Sequence, residues 1–86
     1  MKIKFSALED RIYKELLFLG YFLSIDEKTA VISKIVDNET IVLFIIDKND
    51  YFVRIKNAKY ISINVIGALY RLLVHYKKMK EKEALK

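Results

Sequence analysis

The side chains with the chemistry to act as nucleophile, base or metal ligand are sparse in this sequence. There is one histidine, His75, there is no cysteine, and the four serines stand at positions 6, 24, 33 and 62. An imidazole acting as a general base needs a group to orient it, and the residues three and four positions from His75 are Arg71, Leu72, Lys78 and Met79, none of them a carboxylate. A structural, partly buried histidine is the expectation. None of the serines sits in a G-x-S-x-G turn, and Ser6 and Ser62 read better as helix caps. The two glycines, Gly20 and Gly67, are too far apart to build a phosphate-cradling loop. Paired acids such as Asp37 with Glu39, or Asp47 with Asp50, fall in tight turns, where a carboxylate commonly accepts nearby backbone N–H groups instead of holding a metal. The expectation is therefore a protein that is not an enzyme, with no catalytic residue, no metal and no cofactor.

Charge offers a different chemistry. The net charge is +5, yet residues 1–50 carry seven Lys/Arg against nine Asp/Glu, while residues 51–86 carry nine against two. Clustered cations attract phosphates, which makes Arg54, Lys56, Lys59, Arg71, Lys77, Lys78, Lys80 and Lys82 the candidate nucleic-acid contacts. Tyr51, Phe52, Tyr60, Tyr70 and Tyr76 lie among them and could stack on unpaired bases. Docking of this kind is electrostatic, without readout of sequence. A plainer explanation of Lys77 to Lys86 is a solvated helix end whose cations suit the negative pole of the helix dipole.

The elements that hold these residues follow from periodicity. Ser6 and Glu9 form a capping box that starts a helix at Ala7. Leu8, Ile12, Leu16 and Leu19 recur at helical spacing, and Gly20 supplies a left-handed stop. Tyr21–Ile25 and Thr29–Val36 read as strands around a polar turn at 26–28. The run ETIVLFIID at 39–47 is apolar on both faces, as a central strand is, and Tyr51–Asn57 alternates like an edge strand. Ser62 caps a second helix from Ile63 to about Lys82, whose stripe Val65, Leu69, Leu72, Tyr76 and Met79 seats it on its own sheet, with a frayed basic tail over 79–86. Met1 to Phe5 alternates as a short strand or lead-in would. The predicted fold is one α+β domain spanning 1–86: N-terminal helix, antiparallel meander of three or four strands, long C-terminal helix.

Two-residue turns at Asp37-Asn38 and Lys48-Asn49 would set Ser33 opposite Val42, Val31 opposite Phe44, and Ile45 opposite Phe52. That register gathers Val31, Ser33, Ile35, Val42, Phe44, Ile46, Tyr51, Val53 and Ile55 on a face for the helices. Ala30, Ile32, Ile41, Leu43, Ile45 and Phe52 then share the opposite face, edged by Lys34, Arg54 and Lys56. An apolar patch of that size needs a cover: the two helices take opposite faces, or they share one face while a second subunit covers the other, or a different macromolecule docks there. The expected partner or dimer interface is accordingly Ile32, Ile41, Leu43, Ile45 and Phe52, in a homodimer that also meets nucleic acid. The alternative is an inhibitor or adaptor, of the size that viruses and mobile elements encode, using this face on a host or other partner protein. The ten-residue tract Leu16–Ile25 is shorter than the roughly 20 residues a membrane helix needs, and no basic leader precedes it. No membrane contact and a cytoplasmic location are expected.

Overall fold

In a computed structural model, which describes residues 5–84, the chain forms α1 (Ala7–Leu19), β1 (Tyr21–Ile25), β2 (Thr29–Val36), β3 (Glu39–Asp47), β4 (Val53–Ile55), a 3-10 turn at Ala58–Tyr60, and α2 (Ile63–Ala84). The four strands make one antiparallel sheet in the order β1-β2-β3-β4, so the fold is the predicted α+β arrangement. The strand expected over Met1–Phe5 lies almost wholly outside the described residues. α2 runs through Ala84, two residues beyond the end near Lys82 that the sequence suggested.

Local chemistry sets the ends of the elements. Ser6 Oγ accepts from Glu9 N at 3.2 Å while Ser6 N donates to Glu9 Oε1 at 2.9 Å, which fixes the start of α1. Gly20 ends it at φ 92, a left-handed conformation that a side chain resists. Asp26 closes the β1–β2 turn by accepting from Lys28 N, Thr29 N and Thr29 Oγ1. Asp37 and Asn38, both at positive φ, form the two-residue turn between β2 and β3. Ser62 Oγ lies 3.4 Å from Val65 N at the head of α2.

Both helices lie on the same face of the sheet. Tyr21, Leu23, Ala30, Ile32, Phe44 and Ile46 share that face by register, and they form one core with Ile12 and Leu16 of α1 and Val65, Ala68, Leu72 and Tyr76 of α2. The helices run antiparallel, as the contacts of Ser6 with His75, Glu9 with Tyr76 and Glu15 with Arg71 show. Each fully buried aliphatic side chain in such a core contributes about 1.5–3 kcal/mol.

The register of β2 against β3 corrects the predicted division of faces. Near the turn, Ser33 faces Val42 as expected, but the pairing then slips, so that Ile32 faces Phe44 and Leu43 is an extra residue. This β-bulge directs both Leu43 and Phe44 into the core. With Phe44 and Ile46 kept on the helix side, the residues of β2 and Ile41, Val42 and Leu43 of β3 all change face relative to the prediction. The bulge carbonyls are satisfied from the next strand and its exit: Lys56 N donates to Leu43 O and Asn57 Nδ2 to Val42 O, each at 2.9 Å. The β3–β4 turn also departs from a two-residue loop. Asp47 accepts from Asn49 N and Asp50 N, and Tyr51 turns back at φ 59 before the strand begins at Val53. Ile45 therefore faces Arg54, not Phe52, which preserves the face of each β4 residue because the slip is by two.

Candidate functional site

Among the described residues, no helix or strand lies over the face of the sheet turned away from α1 and α2, and a row of apolar side chains crosses it. Register assigns it Phe22 and Ser24 of β1, Thr29, Val31, Ser33 and Ile35 of β2, Thr40, Val42, Ile45 and Asp47 of β3, and Arg54 of β4, with Phe52 at the entry to β4. Phe22 is 38% exposed, Ile35 52% and Phe52 61%. Val31, Val42 and Ile45 are half-buried beside their cross-strand neighbours. Ser33, between Phe22 and Val42, is the buried hydroxyl of this surface. Thr29, Ile45, Asp47, Phe52 and Arg54 enclose a depression of about 250 Å³ at one corner, so that an aromatic ring and a guanidinium line the same hollow.

The residues assigned to this surface from sequence divide between two environments. Ile45 and Phe52 belong to it. Ile32 and Leu43 have no exposed surface at all, and Ile41 is half-buried against the core, so these three are corrected to the helix side. In exchange, Val31, Ser33, Ile35 and Val42, expected under the helices, stand on the open face. The slip at Leu43 is the physical reason for both movements. Phe22 was missed, although its alternation with Tyr21 and Leu23 along β1 marks it as facing away from the core.

The basic residues are not brought together on one surface. Arg54 stands on the open face, while Lys56 and Lys59 follow β4 in the connection leading to the start of α2. Lys80 lies toward the far end of that helix, where its Nζ donates to Asn49 O at 3.0 Å and sits 5.5 Å from the Tyr51 ring centre. At about 1.5 Å per residue, Ile63 and Lys80 are roughly 25 Å apart along α2. Arg71 is ion-paired with Glu15 on α1, which holds the Glu15 carboxyl below its usual range and the guanidinium above its own. Lys77, Lys78 and Lys82 are exposed on the last turns of α2. Of the aromatic residues expected to interleave with them, Tyr76 is buried, Tyr51 and Tyr60 are half-buried, and Tyr70 and Phe52 are exposed.

His75 is half-buried, with Nε2 3.1 Å from Ser6 Oγ, so its partner is the helix cap. Next to it, Tyr76 OH donates to Glu9 Oε2 at 2.8 Å. Burial pushes the Tyr76 phenol well up, and the Glu9 carboxylate adds to that effect. Burial also opposes ionisation of Glu9, but the Ser6 N–H, the Tyr76 hydroxyl, the Ser6 hydroxyl and the nearby Lys48 charge together hold it below the usual carboxylate range. Asp47 is likewise held low, by the backbone N–H groups of Asp50 and Asn49, and Asp26 by those of Thr29 and Lys28. These acids serve their turns and the α1 cap.

Comparison with protein families finds no match for the chain, and neither the curated proteins nor the solved structures contain one that matches. Among the described residues, no helix is long and apolar enough to cross a membrane.

Proposed function

We propose that this chain is a small binding module that works through the open face of its sheet, and that the face is covered by a second copy of the chain. The observation that carries this reading is the row of Phe22, Val31, Ile35, Val42, Ile45 and Phe52 on the side of the sheet opposite both helices. Covering this face buries apolar surface that the one core beneath the helices leaves in water. Two such faces stack as aligned sheets about 10 Å apart, giving four layers with the helices outermost. Four strands about 4.8 Å apart and roughly 20 Å in mean length project an area of about 400 Å² per copy. Over two copies this is about 800 Å², below the roughly 1,200 Å² at which standard specific interfaces begin, so the dimer is a weak and reversible one.

Sedimentation equilibrium from about 10 µM to 1 mM tests the reading. The expected result is a rise from monomer to dimer mass in the parent chain, abolished by Ile45→Asp with an unchanged far-UV spectrum. A parent chain that stays monomeric to the highest concentration refutes it.

Nucleic acid as a further partner is favoured by the exposure of Lys77, Lys78 and Lys82 on successive turns at the end of α2. Filter binding at low salt is expected to retain single-stranded RNA or DNA, weakening when these three lysines become glutamate and when salt is raised. No retention at low salt removes this second reading.

A further inference from the structure

On the outer side of the helical layer, away from the sheet, α1 and α2 enclose a groove that the open face does not involve. Leu8 of α1 and Tyr70, Val74 and His75 of α2 line a depression of about 300 Å³, with Arg71 and Lys78 at its margins. A second depression of about 280 Å³ continues toward the other end of the helix pair, lined by Glu15, Phe18, Leu19, Asn64 and Arg71. Tyr70 is 68% exposed and Phe18 91% exposed, unusual values for large apolar side chains on helices that already have a core to pack against. Arg71 borders both depressions and ties them together through its ion pair with Glu15.

We propose that this groove docks an acidic amphipathic helix from another protein. Two properties select that occupant. The depression at Leu8, Tyr70 and Val74 is mainly apolar, and beyond the Glu15–Arg71 pair Phe18 and Leu19 add apolar surface to the second, so a docked helix can set apolar anchors on both sides of that pair. Among the described residues, the charge left over at the margins is positive: Arg71 is neutralised by its ion pair with Glu15, while Lys78 borders the groove and Arg11 stands close enough to Glu15 for its charge to act on that carboxylate. Lys82 extends the same stripe one turn beyond Lys78, at the i, i+4 spacing of helix neighbours.

A second copy of the chain does not meet this demand. Its α2 is basic, and its α1 carries Glu9, Asp10 and Glu15 against Arg11 and Lys14, with Glu9 buried and Asp10 paired to Lys14. Nucleic acid would use the cations, and a base could stack on Tyr70, but Leu8 and Val74 would be left without a function in binding.

The probe is a fluorescently labelled synthetic helix of about 18 residues, with leucine at i, i+3, i+7 and i+10 and glutamate at most other positions, titrated with the full chain and read by anisotropy. A twin with lysine in place of glutamate is the control. The glutamate peptide is expected to saturate at least about tenfold more tightly than the lysine peptide, and to weaken by about tenfold with Tyr70→Glu or with Lys78→Glu. Tyr70 is exposed, so its variant keeps the parent circular dichroism, and Ile45→Asp on the open sheet face leaves peptide binding unchanged. Equal binding of both peptides, no binding of either, or indifference to Tyr70→Glu overturns the proposal. Loss with Ile45→Asp alone transfers the peptide to the sheet face and overturns it as well. If a single-stranded oligonucleotide competes for the site and depends on Lys78 but not Tyr70, the groove belongs to nucleic acid.

Discussion

Glu9 shows how one side chain can serve a cap and a core at once. Its carboxylate receives Ser6 N at the start of α1 and the Tyr76 hydroxyl from α2, so it joins the two helices across the top of the core. Because its pKa is lowered in the fold, it contributes stability in full above the ordinary glutamate value of about 4.3, and that contribution is lost as pH falls through the lowered value. The Tyr76 phenol has the opposite displacement. Its contribution is full below the ordinary value of about 10 and is lost at higher pH. Replacing Glu9 with Gln is therefore expected to cost about 1–2 kcal/mol in urea unfolding at pH 7 and less at pH 3, and Tyr76→Phe to remove the alkaline loss. The cap itself was readable, since Ser6 and Glu9 stand at capping-box spacing. The Tyr76 partner was not, because it lies 67 residues away and no local spacing encodes such a contact. The same distance in sequence hid the link between Ser6 and His75, for which only a partly buried structural role was expected.

At the scale of elements, the two glycines are expected to respond in opposite directions. Gly20 ends α1 at φ 92 with open space where a methyl group would stand, so Gly20→Ala suffers only the left-handed backbone penalty, about 1–2 kcal/mol. Gly67 lies inside α2 with equal space, and Gly67→Ala should raise stability by about 0.5–1 kcal/mol. Thermal or urea unfolding of the two variants checks both signs. The bounds of α1, β1, β2 and β3 were legible because each is closed by residues with local turn chemistry: Gly20, Asp26, Asp37-Asn38 and Asp47. The bulge was not. The run IVLFII in β3 is apolar at every position, so sliding the strand by one residue changes nothing in its pattern, and alternation carries no register there. In β4 the expected strand began at Tyr51, but Asp47 folds the chain into a longer turn that draws Tyr51 and Phe52 into the loop.

Considered as a whole, the molecule is a two-layer domain with its helices on one side, and its charge and its apolar surface occupy different places. The asymmetry of charge between residues 1–50 and 51–86 is evident in the sequence, yet folding distributes the second half along a sheet edge, a crossing connection and a helix about 33 Å long. A linear count of lysines therefore overstates how concentrated the basic surface is. That the second face of the sheet carries apolar side chains was legible, whereas the placing of both helices on the other face was not, because either face offered a helix an apolar seat. The membership of the open face was legible only in part, since Ile45 and Phe52 were placed correctly while Ile32, Ile41 and Leu43 were exchanged for their neighbours. The proposed association through the open sheet and the proposed peptide docking in the outer groove involve opposite sides of the molecule, so neither would block the other.

The additional residue at Leu43 also constrains how the gene can change. Losing one codon from a regular strand turns everything on one side of the loss inside out, exchanging core side chains for surface ones. At Leu43 the loss does the reverse: it erases the bulge and leaves Ile41, Phe44 and Ile46 inward with Val42 and Ile45 outward, in plain alternation. What remains to be borne is the space vacated by one buried leucine, about 2–5 kcal/mol if the core cannot close over it. Natural variants of this protein that shorten β3 by one residue should therefore have lost it at 43 or 44, and lineages lacking that residue should keep the same inward and outward sets.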